Sequence, residues 1–211
     1  ISDDEFKPTH KGIRYKLTSI KNVGQSAIES IRELRPITSL EDMINRGEKR
    51  TLRKNVVENL IKAGVFDEEE PNRIKLLNTF YDLRGIPDKI PESMWSNRTR
   101  CMFEKESLGM YLSHHPIEEY YFKDITEYEN GQQAIIGGEV VDVVRIHDKK
   151  GNPMAFVTIS NQYGTTTAVV FSYIWTDKKL NTQNILQKDN LVMLVGERSG
   201  NDILVKKCEV L

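Results

Sequence analysis

Cysteine is scarce in this chain: Cys101 and Cys208 stand far apart among 211 residues. They suggest no disulfide framework, so a reducing, cytoplasmic setting is expected. No stretch approaches the roughly 20 apolar residues a membrane helix needs, so no membrane partner is expected. The opening ISDDEFKPTHKG begins without methionine and has no apolar signal core. It reads as the start of a piece cut from a longer chain. Catalytic constellations are missing too. Phosphoryl transfer by two metals needs paired carboxylates on a rigid sheet, and the sequence has no Asp-x-Asp pair in a strand context. Nor does it have a glycine-rich phosphate loop or a Ser/His/Asp or Cys/His set. No catalytic residue, metal site or cofactor is expected in this chain. What remains is ordinary globular material, 38% apolar and 29% charged.

The net charge of −1 conceals a segregation. Residues 7–62 carry 13 Lys and Arg against six Asp and Glu, whereas residues 63–132 carry eight against 14. A basic footprint of the kind that meets phosphates is therefore confined to the front of the chain. A solvated helical surface would have the same composition.

Ile13 to Leu17 reads as an extended lead-in to a helix–turn–helix with Asn22-Val23-Gly24 as its turn. Ala27, Ile28, Ile31 and Leu34 line one face of the second helix, which Pro36 ends. A short helix with Leu40, Met43 and Ile44 inward, capped by Thr38 or Ser39, runs to Gly47. Another carries Val56, Val57, Leu60 and Ile61 to a C-terminal Gly64. Asp67 to Pro71 reads as a solvated linker and not a metal site. Helices are predicted over Ile74–Leu83 and residues 98–112, with an irregular connection between them. From Ala134 the period becomes that of strands. A long strand holds Ile136, Val140 and Val144, followed by Met154–Ser160 and Thr165–Phe171. After a loop or short helix come Leu191–Glu197 and Ile203–Cys208. Five strands with a helical connection between the third and fourth form the OB arrangement, a small barrel that presents one face to oligonucleotides.

The front chemistry sits in Lys21, Asn22, Val23, Gly24, Gln25 and Ser26. A tight turn into a helix leaves backbone N–H groups and the positive end of the helix dipole facing outward, which suits a phosphate. Gly24 is expected to supply a positive φ there. Lys21 adds charge, and Gln25 and Ser26 add neutral donors, so the backbone is gripped without reading bases. The run containing Arg50, Thr51, Arg53 and Lys54 repeats the device at a second helical pair. Two units in tandem suggest a clamp on adjacent phosphates of a duplex.

Four blocks, IRYKLTSIKNVGQSAIESI, LRKNVVENLIKAGVFD, ESLGMYLSHHPIEEY and GGEVVDVVRIHDKKGNPMAFVTIS, stand in this order. They closely resemble the C-terminal half of the α subunit of bacterial DNA polymerase III, a family C polymerase, from about Gly12 onward. The resemblance implies a multidomain α+β chain. A tandem helix-hairpin-helix module (residues 1–70) would hold primer–template duplex. A helical segment (71–132) in the region that docks the sliding clamp or other replisome proteins would follow, and then an OB-fold barrel (133–211) near single-stranded template. The catalytic carboxylates and their magnesium would lie elsewhere in the parent polymerase. The sequence departs from the family where His114 replaces a small glycine. It also lacks a clamp peptide beginning with Gln, and Pro91-Glu92-Ser93-Met94-Trp95 is an apolar substitute. A zinc site at His114 and His115 is not expected, since no Cys or carboxylate completes it. The loops suggest a divergent lineage.

In the barrel, alternation puts Ala155, Val157 and Ile159 inward and Met154, Phe156 and Thr158 outward. An outward Phe156 resembles the base-stacking phenylalanine of aminoacyl-tRNA synthetase anticodon domains. Thr167 and Phe171 would share its side, with Arg145, Lys149 and Lys150 at the rim. Packing of Phe156 against another domain, with the barrel as a protein-docking scaffold, is the alternative.

Overall fold

A computed structural model describes residues 16–211, together with the backbone of two short paired strands, β1 (Lys7–Thr9) and β2 (Gly12–Arg14). The acidic start and Tyr15 of the lead-in lie outside the described residues. The chain forms two compact units, Ile1–His114 and His115–Leu211. The segment 71–132, expected as a connector, is thus shared between them.

Among its described residues the first unit holds five α-helices: α1 (Gln25–Glu33), α2 (Leu40–Arg46), α3 (Lys54–Lys62), α4 (Arg73–Arg84) and α5 (Asn97–Leu108). The helical spacing of apolar residues does what it predicts. Ala27, Ile28 and Ile31 of α1, Leu40, Met43 and Ile44 of α2, and Val56, Val57, Leu60 and Ile61 of α3 enter one core with Leu76, Leu77 and Phe80 of α4. Termini follow the local chemistry. Ser39, Asn72 and Ser96 cap α2, α4 and α5 by accepting backbone N–H groups of the first turn, while Gly85 and Gly109 end α4 and α5 in the left-handed conformation.

The acidic run after α3 is no linker. Asp67 binds Arg73 and Arg100 at 2.7 and 3.0 Å, Glu69 accepts the Leu40 N–H at the start of α2, and Glu70 accepts the Asn72 N–H and pairs with Lys75. Arg73 is only 2% exposed, and it also reaches Glu104, which is 0% exposed, at 3.2 Å. Burial works against the Arg73 charge, but Asp67 and Glu104 outweigh it and hold the guanidinium above its ordinary value. The other oxygen of Glu104 accepts the N–H groups of Leu112 and Ser113 at 2.7 and 2.9 Å, which turns the chain after α5.

The second unit is a closed barrel of β3 (Gln133–His147), β4 (Pro153–Asn161), β5 (Gly164–Val170), β6 (Leu191–Ser199) and β7 (Asp202–Val210). Its strands follow the order β3-β4-β5-β7-β6, with β6 returning to β3. All pairs are antiparallel except β5 with β7. This is the OB order, with the short helices α6 (Ser172–Trp175) and α7 (Thr182–Ile185) between the third and fourth barrel strands. Ile174, Trp175 and Leu186 join the core built from Ala155, Val157 and Ile159. Strand β3 pairs with β6 along its first half and β4 along its second, bending where Gly138 lies too close to Ile159 and Ser160 for any side chain.

Breaking the buried ion cluster should strongly destabilise the helical unit. Glu104→Ala leaves Arg73 charged and short of a partner in a dry site, and is expected to cost about 3–5 kcal/mol. The urea midpoint of the helical circular dichroism signal reads it, and an unchanged midpoint would refute it.

Candidate nucleic-acid interface

The turn before α1 is pinned from beneath. Ile20 and Val23 are buried in the core, and the Lys21 N–H donates to the Ser107 carbonyl of α5 at 2.8 Å. Between these anchors Lys21, Asn22, Gly24, Gln25 and Ser26 are exposed. The element leading into the turn is only a 3₁₀ turn, Leu17–Ser19, not a full helix. The strained residue is Asn22, at φ 65°, and not Gly24, whose φ of −83° any residue adopts. Asn is among the few side chains that tolerate this left-handed conformation, which explains the reversal. Space in front of Gly24 is open, with nothing within 4 Å of where a Cβ would stand.

The second turn, between α2 and α3, is anchored by buried Leu52 and by the Thr51 hydroxyl, which donates to Ser30 of α1 at 3.1 Å. Arg50 is exposed and pairs with Glu48 at 2.9 Å, and the Arg53 Nε donates to the Arg50 carbonyl. Lys54 is engaged elsewhere. Its ammonium meets Asp88 at 2.8 Å and lies 5.2 Å from the Tyr81 ring centre, and the hydrogen bond to Asp88 holds its pKa above the ordinary value. Competition for this lysine was not visible in the sequence, because Asp88 is 34 residues away.

The helix starts sort into two kinds. Within the first unit α2, α4 and α5 have side-chain caps, whereas the two helices that follow the basic turns, α1 and α3, have none, as is also true of the four-residue α6 and α7 of the barrel. In α1 the first bonds to the Gly24 carbonyl come from Ala27 and Ile28, so the Gln25 and Ser26 N–H groups meet no protein acceptor among the described residues. In α3 the bonds to the Arg53 carbonyl come from Val56 and Val57, which leaves the Lys54 and Asn55 N–H groups in the same state. Each end can therefore take an anion on two backbone donors with the helix dipole behind them.

On the barrel, Phe156 is 38% exposed, as alternation requires. It pairs across the sheet with Val144 on β3 and Val169 on β5, and Thr158 pairs with Thr167 on the same outer side. Phe171 continues that side past the end of β5 and is exposed. Met154, expected outside with Phe156, is nevertheless buried. Lys149 and Lys150 are exposed on the β3–β4 turn. Asp148 holds this turn by accepting the Lys150 and Asn152 N–H groups at 2.8 Å, and the Asn152 side chain keeps its carboxyl below the usual carboxylate range. Arg145 is exposed; it pairs with Ala155, and its guanidinium lies 5.9 Å from the ring centre of Trp175. A register shift between Val140 and Asp142 reverses the alternation in the second half of β3. The same shift turns Val144 outward, to 48% exposure. Among the described residues no group of His, Cys, Asp and Glu converges to hold a metal. No described helix is long and apolar enough to cross a membrane.

These conformations predict unequal costs at neighbouring positions. Asn22→Val should lose about 1–2 kcal/mol, since a branched side chain resists the left-handed region. Gly24→Val, in extended and open backbone, should lose under about 1 kcal/mol. Urea titration of the two variants compares them, and a larger loss at Gly24 would contradict this geometry.

A helix-hairpin-helix motif family model matches residues 1–76. DNA polymerase III subunit alpha of Aquifex aeolicus is 27% identical over 208 residues, covering 87% of this chain and 17% of the relative. The subunit of Pseudomonas aeruginosa is 29% identical over 260 residues, covering 96% of this chain and 22% of its own length. The chain thus spans about a fifth of these curated relatives. Among solved structures, asparaginyl-tRNA synthetase from Pyrococcus horikoshii aligns with a TM-score of 0.33 and 20% identity, over 39% of this chain and 20% of that one. A replication factor A related protein from Methanobacterium thermoautotrophicum aligns with a TM-score of 0.31 and 19% identity, over 44% of this chain and 93% of that one. A helix-hairpin-helix front is followed by an OB barrel, and along nearly its whole length the chain matches the C-terminal region of DNA polymerase III α subunits.

Proposed function

We propose that this chain is a non-catalytic DNA-holding part of a replicative polymerase, with the helical unit on the primer–template duplex and the barrel on single-stranded template. The observation that carries the duplex reading is the pair of uncapped helix starts, α1 and α3, each behind a basic turn. Phosphate oxygens would take the Gln25, Ser26, Lys54 and Asn55 N–H groups, and Lys21, Arg50 and Arg53 would supply mobile charge. Thr51 positions the second turn through Ser30 and need not touch DNA. Such contacts do not distinguish bases, so binding is independent of sequence and falls steeply with salt. On the barrel, Phe156 would stack on an unpaired base, with Thr158 and Thr167 beside it and Lys149 and Lys150 on the backbone. The cytoplasm, the remainder of the polymerase chain and its magnesium complete this reading.

A second reading, docking of the sliding clamp or another replisome protein, is favoured by Met94. It is exposed in the Pro91–Trp95 segment, whose Trp95 is held against Phe103 at 6.2 Å.

Fluorescence anisotropy with duplex, primer–template and single-stranded DNA at two salt concentrations tests the proposal. Neutralising Lys21 should lower the salt slope for duplex by about one unit, and Gly24→Val should weaken duplex binding by blocking the phosphate approach. If neither variant alters duplex binding, the phosphate reading fails. Phe156→Ala should weaken single-strand binding about tenfold and leave duplex binding and the melting temperature nearly unchanged. A large loss of stability without selective loss of single-strand affinity would make the ring structural and favour docking.

The purified chain should not extend a primer when given magnesium and nucleotides. Template-directed incorporation in a gel assay would overturn the non-catalytic assignment.

A further inference from the structure

We infer that Phe171 and Tyr173 form a second stacking platform for the bases of single-stranded DNA, continuous with Phe156; this rests on the single-strand reading of the barrel. Strand register places the rings. Ala155 pairs with Val170 and Phe156 with Val169, so Phe171 emerges on the Phe156 side at the β3–β4 end of the wall. Its position is diagonal to Phe156, a relation that spans about 7–8 Å between Cα atoms. Tyr173 follows at the second position of α6. Its ring is nearly parallel to that of Phe171, at an interplanar angle of 9° with centroids 6.3 Å apart.

The fold does not require Tyr173 for its core. The next two residues, Ile174 and Trp175, turn inward to plug the barrel, which leaves Tyr173 outside with 64% exposure. A large ring held in water beside another exposed ring offers π surface to a flat partner. The charge pattern names that partner. Lys149 and Lys150 stand on the turn at this same end, where Asp148 is occupied by the Lys150 and Asn152 N–H groups, and Asp142, paired with Thr158, lies at the opposite end of the same wall. A polyanionic backbone would therefore run past the lysines while successive bases stack on Phe156, Phe171 and Tyr173. Tyr173 has no place among the phosphate contacts, so its contribution is stacking alone.

The test uses the whole 211-residue chain and fluorescein-labelled oligothymidylate of about 12 nucleotides, within the roughly 4–16 nucleotide footprint of one such barrel. Tyr173→Ala should weaken binding about tenfold, with the salt slope unchanged because no charge is removed. Tyr173→Phe, which keeps the ring, should bind as the parent does. An abasic strand of the same length should bind weakly and be indifferent to Tyr173→Ala. If Tyr173→Ala binds oligothymidylate like the parent while Phe156→Ala does not, the second platform is wrong and the single-strand reading survives. If both variants bind like the parent, the single-strand reading fails and this inference with it. A drop in melting temperature with equal loss of duplex and single-strand binding would make Tyr173 structural and overturn the platform.

Discussion

The helical unit depends on one guanidinium sealed from water. Arg73 opens α4, donates to the Lys62 carbonyl at the end of α3, grips Asp67 with two nitrogens, and meets Glu104 of α5. Three helices and the connection after α3 are thereby indexed to a single charged group. A buried charge tolerates little displacement, because each lost partner is replaced by nothing. The arrangement also explains Gly64, which has a φ of 82° and sits where a Cβ would strike the Arg73 guanidinium. The start of α3, where a phosphate would bind, inherits its position from its other end. Precision at the surface is set by electrostatics in the interior.

The same cluster accounts for the most distinctive stretch of sequence. Glu104 gathers the Leu112 and Ser113 N–H groups, and Gly109 takes the left-handed cap that lets the chain turn back toward it. Farther on, His115 accepts the Ile117 N–H while Glu118 accepts that of His115, closing a capping box with Pro116 in the first position. The LGMYLSHHPI pattern is thus a sequence of turn instructions, and no ligand is needed to explain it.

Most helix and strand positions, the burial faces of α1 to α3, and the inward and outward sides of β4 from Ala155 onward were legible from periodicity, because each depends on residues a few positions apart. What was not legible depends on distant partners. Asp67 looks solvated until Arg73 and Arg100 fold over it, and Lys54 looks available until Asp88 arrives. Val144 turns outward because a single extra residue near Val141 breaks the count of two, and Val140-Val141-Asp142 carries no local mark of it. Asn22 is the instructive intermediate case. The turn was evident, but the glycine drew attention away from the residue that bends.

The closure of the barrel has a consequence for how it meets other molecules. Each of its five strands is hydrogen-bonded to two neighbours, with β5 and β7 sealing the ring in parallel over three residue pairs. A strand with a free edge can recruit an extended peptide by simple extension of the sheet, and many docking modules work in that way. The ring leaves that option only where a strand outruns a partner, as the second half of β3 does beyond β6. Over the paired wall, recognition rests on what side chains and loop tips display, so a handful of outward residues there decides what that face can hold.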